Sequence, residues 1–142
     1  MFDELQNAEM LAAIPNCPGT ASGRDCKAYR FVHSDKAHVN NFLPLALIDP
    51  ARKLPGDIER CSSYALSLYE TREQAVTDYN NIKKVAKKFP KQAGDCVAEV
   101  TLRPIDGVAT STDHRGHFDF FPNKTVDLPS QSEWLGTIES KC

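Results

Sequence analysis

The sequence lacks the long apolar runs that mark a membrane protein. No segment approaches the roughly 18 to 20 apolar residues that a helix needs to span a bilayer. The opening residues, MFDELQNAEM, contain acidic side chains and no apolar run of signal-peptide length. These absences predict a soluble, cytoplasmic chain with no membrane contact. The 142 residues are 41% hydrophobic and 25% charged, which is typical of an ordinary globular protein.

Sequence patterns of the common catalytic and metal sites are also missing. No glycine cluster precedes a helix, as a phosphate-binding loop requires, and no two cysteines have CxxC spacing. His114 and His117 form an HxxH pair that could hold zinc together with Cys61 and Cys96. The histidines lie in a turn-like segment, however, and we expect the two cysteines to be buried thiols. Because the five cysteines are odd in number and widely spaced, we expect free thiols and no bound metal.

Neither sign of charge is in large excess. The formal net charge is −2, which argues against a dedicated nucleic-acid binder. Four lysines do cluster between residues 83 and 88. Because they fall near the end of a predicted helix, they complement its dipole, and we expect them to form a solvated face. Nucleic acid is therefore not an expected partner.

Residues 61–89 predict the central unit of the fold, a buried strand that continues into the longest helix. Tyr64, Leu66 and Leu68 occupy one face of a period-two pattern. Small and aromatic residues occupy the other face, and no charged residue occurs in the strand before Glu70. This pattern is typical of a strand that is covered on both sides.

Helix signals follow at once and predict a helix over residues 71–89. Thr71 is a candidate N-cap, and Gln74 three residues later completes a capping-box pattern. We expect Phe89-Pro90 to end the helix, because a residue before proline is biased out of helical geometry. One apolar stripe runs along the helix through Ala75, Tyr79, Ile82, Ala86 and Phe89. The opposite face carries Asp78, Asn81, Lys84 and Lys88.

Further strands are predicted on both sides of this unit. Residues 28–34 and 96–103 alternate in polarity, and residues 108–111 and 117–121 have the spacing of a hairpin. Residues 42–48 are strongly apolar but interrupted by proline, so we expect an irregular segment laid over the sheet. This order of elements predicts an α+β fold with a mainly antiparallel sheet packed on one long helix.

The chain is predicted to divide into an N-terminal arm and linker, residues 1–27, and a single domain, residues 28–142. Residues 2–14 are expected to contain a short helix, and a loop rich in Pro, Gly and Ser follows it. The sequence leaves open whether the arm packs on the domain, exchanges with a partner or frays. Trp134 and Leu135 are expected to anchor the C-terminal arm on the body.

Two short motifs carry a resemblance to a known family. YRFVHS at residues 29–34 is followed by ALSLY at residues 65–69 and then by a helix that opens with REQA. This order resembles the ADP-ribosyltransferase-like fold, of which the His-Tyr type is the closer match. In that family a His or Arg on the first strand orients NAD and a Tyr or Ser on the second strand lies at the nicotinamide. An acidic residue on a later strand helps to activate the acceptor.

The resemblance implies NAD as the cofactor and ADP-ribosyl or related glycosyl transfer as the reaction. The catalytic residues that it implies are His33, Tyr69, Glu99 and Asp119. The NAD-binding residues that it implies are Arg30, Ser34 and Ser67. A carboxylate near the ribose would stabilise the oxocarbenium character that develops during NAD cleavage, and an arginine would anchor the phosphates.

The alternative is a non-catalytic protein-interaction module. Phe118, Phe120 and Phe121, in the HFDFF segment at residues 117–121, exceed what one face of a short strand buries. Some of these rings are expected to be exposed, and exposed apolar patches often mark interfaces, unless loops or the N-terminal arm cover them. A protein partner would then bind through the HFDFF segment or the arm. Whether the chain is an enzyme stays open at this point.

Overall fold

The computed structural model describes residues 3–138, which contain six antiparallel strands and five α-helices joined by loops and short 3-10 helices. The strands are β1 (Cys26–Val32), β2 (Leu66–Tyr69), β3 (Cys96–Leu102), β4 (Gly107–Ala109), β5 (His117–Pro122) and β6 (Ser132–Thr137). The helices are α1 (Ala8–Ala12), α2 (Leu45–Ile48), α3 (Asp57–Ser63), α4 (Arg72–Val85) and α5 (Phe89–Ala93). The strands form one sheet in the order β4-β5-β2-β1-β3-β6. The predicted α+β class with an antiparallel sheet is confirmed.

The alternating sequences of β1 and β3 place them side by side at the centre of the sheet. All seven residues of β1 are paired with β3, from Cys26 opposite Leu102 to Val32 opposite Cys96. One buried cluster comprises Ala28, Leu66, Leu68, Val100, Leu102, Ala109, Phe118, Phe120 and Leu128. A second cluster joins the sheet to α4 and comprises Phe31, Tyr69, Ala75, Tyr79, Val97 and Ile138. The sheet therefore buries side chains on both faces, as alternation requires.

The predicted long helix over residues 71–89 is not confirmed, because α4 has 14 residues and ends at Val85. Its start is as expected: Thr71 Oγ1 accepts a hydrogen bond from the backbone N–H of Gln74, 3.1 Å away. Phe89-Pro90 does not end a helix but begins α5. Proline is well tolerated in the first turn of a helix because its missing N–H would have no partner there.

The predicted apolar stripe of α4 is correct at Ala75 and Tyr79, which are buried, and wrong at Ala86, which is exposed. Ile82 is half-buried, and Phe89 packs on the same cluster from α5. Asp78, which the sequence placed on the solvated face, is buried as well. It can be buried because its carboxylate accepts a hydrogen bond from the Tyr69 hydroxyl and forms an ion pair with Arg115.

The predicted strand start at residue 61 is wrong, because residues 57–63 form α3. The strand begins at Leu66. Acidic Asp57 and Glu59 lie in the first turn of α3 and Arg60 in the last. These charges match the helix dipole and are the sequence signal for a helix here.

The N-terminal segment packs on the sheet rather than extending away from it. Leu5 and Leu11 are buried in a cluster with Ala65 and Phe121. The helix expected in residues 2–14 is limited to α1, and residue 2 lies outside the described residues. Of the three alternatives that the sequence left open for the arm, this structure shows packing on the domain.

A disulfide joins Cys17 to Cys61, so the prediction of free thiols is wrong for these two cysteines. Their Cα atoms lie 5.6 Å apart, and 44 positions separate them in the sequence. Cys142 lies outside the described residues. Disulfides are more common in proteins from oxidising compartments than in cytoplasmic proteins.

The predicted exposure of the HFDFF segment is wrong. Phe118, Phe120 and Phe121 on β5 are each only 1% exposed. Phe118 and Phe120 belong to the central buried cluster, while Phe121 packs against the arm residues Leu5 and Leu11. The arm therefore covers Phe121, the one of the three rings that lies outside the central cluster.

Trp134 and Leu135 attach the C-terminal segment to the body, as expected, and they do so as part of a strand. Trp134 lies on β6, which pairs with β3, and its indole N–H donates to the backbone oxygen of His33 at 2.8 Å. Within residues 3–138, no helix has the length and apolarity needed to cross a membrane.

Candidate functional site

A cavity of about 860 Å³ lies between strands β1 and β2 and the helices α2, α3, α4 and α5. Its walls are largely apolar and include Phe31, Leu45, Ile48, Ile82 and Phe89. The apolar residues 42–48, which the sequence predicted to lie over the sheet, contribute α2 to one wall. A volume of this size is within the range of small-molecule sites, which is about 300 to 1,000 Å³.

The cavity exists because β1 and β2 separate soon after they meet. The one registered pair between them is Tyr29 opposite Tyr69, whereas β2 is paired with β5 along its whole length. The side chain of Arg30 enters the gap. Its Nη1 donates to the backbone oxygen of Ser67 at 3.2 Å. This hydrogen bond replaces one that a neighbouring strand would otherwise donate to the same oxygen.

The guanidinium of Arg30 is buried and hydrogen-bonded only to neutral groups. It is 9% exposed, and besides Ser67 it donates from Nε to the backbone oxygen of Asn41 at 2.7 Å and from Nη2 to that of Leu43 at 3.3 Å. Within residues 3–138 no carboxylate forms an ion pair with it. Burial lowers the pKa of Arg30 to about 10, so the group is still charged at neutral pH. An uncompensated buried charge is costly.

A loop after β1 holds this arginine in place. Asn41 is buried, and its side chain accepts a hydrogen bond from the backbone N–H of His33 at 2.7 Å and donates to the backbone oxygen of Asp35 at 2.9 Å. Because Asn41 is fixed in this way, its backbone oxygen is fixed as an acceptor for Arg30. No sequence pattern indicates this role for Asn41, because its partners depend on how the loop closes.

The charged residues around the cavity are mainly basic. Besides Arg30, the basic residues that line it are Arg52, Lys87 and Lys88, and the acidic ones are Asp49 and Glu59. In the described part of the chain none of these exposed side chains forms an ion pair. The cavity is therefore net positive although the whole chain has a formal charge of −2, and a positive cleft attracts anions.

Three of the residues implied by the family resemblance line the cavity. These are Arg30, Ser67 and Tyr69. Ser67 is exposed to the cavity, while the Tyr69 ring is buried in its wall. The other four implied residues, His33, Ser34, Glu99 and Asp119, do not line it.

His33 and Ser34 lie away from Tyr69, beyond the end of β1. Because Tyr29 is opposite Tyr69 and the strands are antiparallel, His33 is four residues further on, or about 13 Å along the strand. Its ring stacks on His38 at 3.6 Å, and its Nε2 lies 3.1 Å from the backbone oxygen of Gln92. Ser34 is exposed in the following bend. The structure thus does not bring these two residues to the cavity floor.

Glu99, the first acidic candidate, lies in a second, polar depression. It accepts a hydrogen bond from the Tyr29 hydroxyl at 2.9 Å and pairs with Lys27 at 3.2 Å. It lines an open groove of about 540 Å³ together with Thr101 and Arg103. Its carboxylate is therefore occupied by partners of its own and is not part of the cavity wall.

Asp119, the second acidic candidate, lies on β5 directly opposite Ser67. Its Oδ1 is buried and accepts no hydrogen bond from the described residues. The Nε2 atom of His117 lies 3.8 Å from this oxygen. Burial raises the pKa of Asp119 and lowers the pKa of His117, because in both groups it disfavours the charged form. Asp119 adjoins the cavity floor but is not itself exposed to the cavity.

The Tyr69 hydroxyl is engaged in a buried polar network. It donates to the carboxylate of Asp78, which also pairs with Arg115 at 3.2 Å, and Arg115 pairs with Asp113 at 2.9 Å. Burial and then the hydrogen bond to Asp78 raise the pKa of Tyr69, so this hydroxyl stays protonated. Asp78 and Arg115 were not predicted as a pair because 37 positions separate them in the sequence.

Comparison with protein-family models, with curated proteins and with solved structures gives no match for this chain. The site has an apolar cavity, one buried guanidinium on its wall and further cations at its edge. This combination suits a small organic anion.

Proposed function

We propose that this protein binds a small organic anion in the cavity between the sheet and α2–α5. The observation that carries the proposal is the buried Arg30 guanidinium, which lines the cavity and has no carboxylate partner in residues 3–138. Its three hydrogen bonds use Nε and one N–H of each Nη, which leaves a second N–H on Nη1 and on Nη2. A phosphate or carboxylate at this position would supply the missing negative charge.

NAD or a nucleotide fragment of it is the first candidate ligand. The sequence resemblance to ADP-ribosyltransferase-like proteins favours it, and the cavity is large enough for a nucleotide-sized molecule. Arg30 would contact phosphate, which is the anion whose geometry a guanidinium matches best. Phe31, Tyr69 and Phe89 offer aromatic surface for a flat ring.

The proposal is limited to binding. In the family that the sequence resembles, transfer from NAD needs a His, a Tyr and an acidic residue near one bound cofactor. Here His33 lies beyond the end of β1, Glu99 lies in the separate groove, and the half-buried Asp119 lies beside Ser67 without lining the cavity. A transfer reaction therefore has less support than ligand binding.

The alternative function, protein interaction through the HFDFF segment, has lost its main support because the three phenylalanines are buried. The N-terminal arm, the other expected docking element, packs on the sheet. A protein partner, a cytoplasmic location and the expected absence of a bound metal stay predictions from the sequence.

Isothermal titration calorimetry with millimolar NAD, ADP-ribose and inorganic pyrophosphate tests the proposal. A Ser67→Phe variant places an aromatic ring in the cavity without removing the Ser67 backbone oxygen that Arg30 binds. Thr101→Phe is the matched control, because Thr101 is likewise an exposed strand residue but lies outside the cavity. Both positions are in strands, where phenylalanine is well tolerated.

We expect heat of binding for at least one probe with the wild-type protein and with Thr101→Phe, and at least about a tenfold loss of affinity with Ser67→Phe. If no probe produces heat with wild-type protein, or if Ser67→Phe binds as the wild type does, the proposal is wrong.

A further inference from the structure

The disulfide attaches the N-terminal arm to a wall of the cavity. Cys61 lies within α3, and four other residues of this seven-residue helix line the cavity: Ile58, Glu59, Ser62 and Ser63. Cys17, the other half of the bond, belongs to the segment that follows α1. Cys61 is therefore separated by only one or two positions in the sequence from residues that line the cavity.

The arm itself is firmly held by the sheet. Leu5 and Leu11 are buried against Ala65 and Phe121, and the half-buried Cys17 and Cys61 pack on this cluster. The backbone N–H of Gln6 donates to the oxygen of Pro122 at 2.9 Å. The arm is thus held in place, and the disulfide bonds α3 to it covalently.

Helix α3 has few attachments of its own besides Ser62, whose side chain hydrogen-bonds to Asp119 on β5. Ser63 is its one buried residue, and Ile58 is 83% exposed. The side chain of Arg60 pairs with Asp57 inside the same helix and so does not tie it to the body. The residues before it, 51–56, are mostly exposed. A helix of seven residues is far too short to be stable in isolation, so the disulfide is a main restraint on this wall.

We propose that the Cys17–Cys61 disulfide is a redox switch that controls ligand binding in the cavity. When the bond is intact, α3 is fixed to the arm and the wall is formed. When the bond is reduced, α3 separates from the arm and the cavity loses that wall. This inference rests on the proposed function for its effect on affinity, but the loosening of α3 can be measured without any ligand.

The reductant is a dithiol. One of its thiolates attacks a sulfur of the Cys17–Cys61 bond and forms a mixed disulfide, and the other cysteine leaves as a thiolate that takes up a proton. The second thiol of the reductant then displaces the remaining cysteine. Two electrons and two protons pass to Cys17 and Cys61, which become thiols, and the dithiol becomes a disulfide. Both cysteines are partly exposed, which gives the reductant access.

Hydrogen–deuterium exchange on the full chain, before and after treatment with dithiothreitol, tests the loosening. We expect exchange in residues 57–63 to rise by about tenfold or more on reduction and to stay faster than exchange in β3, which speeds up only as far as reduction lowers the global stability. The Cys17→Ser/Cys61→Ser variant should show the fast exchange of α3 without reductant. The Cys26→Ser variant, which keeps the disulfide, should respond to reductant as the wild type does.

The same samples are then titrated with the probe that binds the oxidised protein. We expect the affinity of the reduced protein and of the double variant to be lower by about tenfold or more. Unchanged exchange in α3, exchange in α3 that is no faster than in β3 because the whole chain unfolds, or equal affinity in the two redox states would overturn the inference. If the oxidised protein binds none of the probes, the proposed function fails, and the exchange of α3 alone decides whether the disulfide controls this wall.

Discussion

The guanidinium of Arg30 donates from Nη1 to the backbone oxygen of Ser67, 3.2 Å away, where β1 and β2 have already separated. The same side chain therefore has two roles. It satisfies carbonyl groups that the opened sheet leaves without a strand partner, and it places a positive charge on the wall of the cavity. These roles can be separated by substitution.

Arg30→Met should weaken anion binding by about 10- to 150-fold while leaving the protein folded. Methionine removes the charge-assisted hydrogen bond to a ligand, which is worth about 1.5 to 3 kcal/mol. Three carbonyl oxygens lose their donor, but the cost of burying a charge is also removed, so we expect a loss of only about 1 to 3 kcal/mol in the free energy of unfolding. Calorimetry and urea denaturation measure the two effects.

Arg30→Lys is the matched control for charge. Lysine keeps the positive charge but cannot make the same forked set of hydrogen bonds, so part of the binding should remain. Binding by Arg30→Met that equals the wild type would show that the charge at this position does not hold the ligand.

Tyr79 should contribute more to stability than any other position tested on α4. Its ring packs on Phe31 and Phe89 with centroids 5.1 and 5.2 Å apart, and its hydroxyl donates to the backbone oxygen of Gly94 at 2.8 Å. We expect Tyr79→Ala to lower the free energy of unfolding by about 3 to 5 kcal/mol. Val85→Ala, at an exposed position, should change it by less than about 0.5 kcal/mol. Similar losses of stability for the two variants in urea denaturation would contradict the assignment of Tyr79 to the buried face of α4 and of Val85 to its exposed face.

The disulfide should make a large contribution to global stability. It closes a loop between positions that are 44 residues apart, and the chain-entropy relation for a loop of that length predicts about 4 kcal/mol. We expect reduction to lower the free energy of unfolding by about 2 to 4 kcal/mol. Urea denaturation with and without dithiothreitol measures the change, and Cys17→Ser/Cys61→Ser should show none when reductant is added. An unchanged denaturation midpoint on reduction would contradict the prediction.

Strong local patterns in the sequence predicted the elements that depend on them. The strict alternation of residues 96–103 predicted β3 with an error of one residue at its end. The Thr71–Gln74 pair predicted the start of α4. The spacing of two short strands gave the hairpin of β4 and β5. In the helix start and the hairpin, the residues that carry the signal also make the contact, and in β3 the alternation itself marks the strand although its partner β1 is distant in the sequence.

Features that depend on distant partners were not predictable in this way. The apolar period of α4 continues to Phe89, but Phe89 reaches Phe31 and Tyr79 from α5, after the chain has turned. The partners of Asp78 and Cys61 lie 37 and 44 positions away. The sequence placed Arg30, Ser67 and Tyr69 in a site, but the cavity itself depends on how α2 and α3 close over them.

The carboxylate of Asp106 should stabilise the fold above acidic pH. It is 2% exposed and accepts hydrogen bonds from Arg103 and Gln131. Burial alone would raise the pKa of Asp106, but these bonds outweigh it and hold the pKa below its ordinary value. Its stabilisation is thus fully present above the unfolded pKa of about 3.9 and is lost as pH falls through the folded pKa. Asp106→Asn should cost about 1 to 3 kcal/mol at pH 7 and much less in acid, and a pH-independent difference in urea denaturation would contradict this.

Asp119 should show the opposite dependence on pH, because burial raises its pKa in the folded state. The stabilisation that this shift provides is present below the unfolded pKa of about 3.9 and is lost as pH rises through the folded pKa. Ionised Asp119 has a buried oxygen with no hydrogen bond from the described residues, and the neighbouring His117 is itself shifted by burial towards its neutral form. Asparagine has the same shape and cannot ionise. We therefore expect Asp119→Asn to gain stability relative to the wild type as pH rises from 4 to 8, measured by urea denaturation at each pH, while the exposed control Asp25→Asn shows no such trend. A wild-type protein that becomes more stable than Asp119→Asn over this range would show instead that the ionised carboxylate is held by His117.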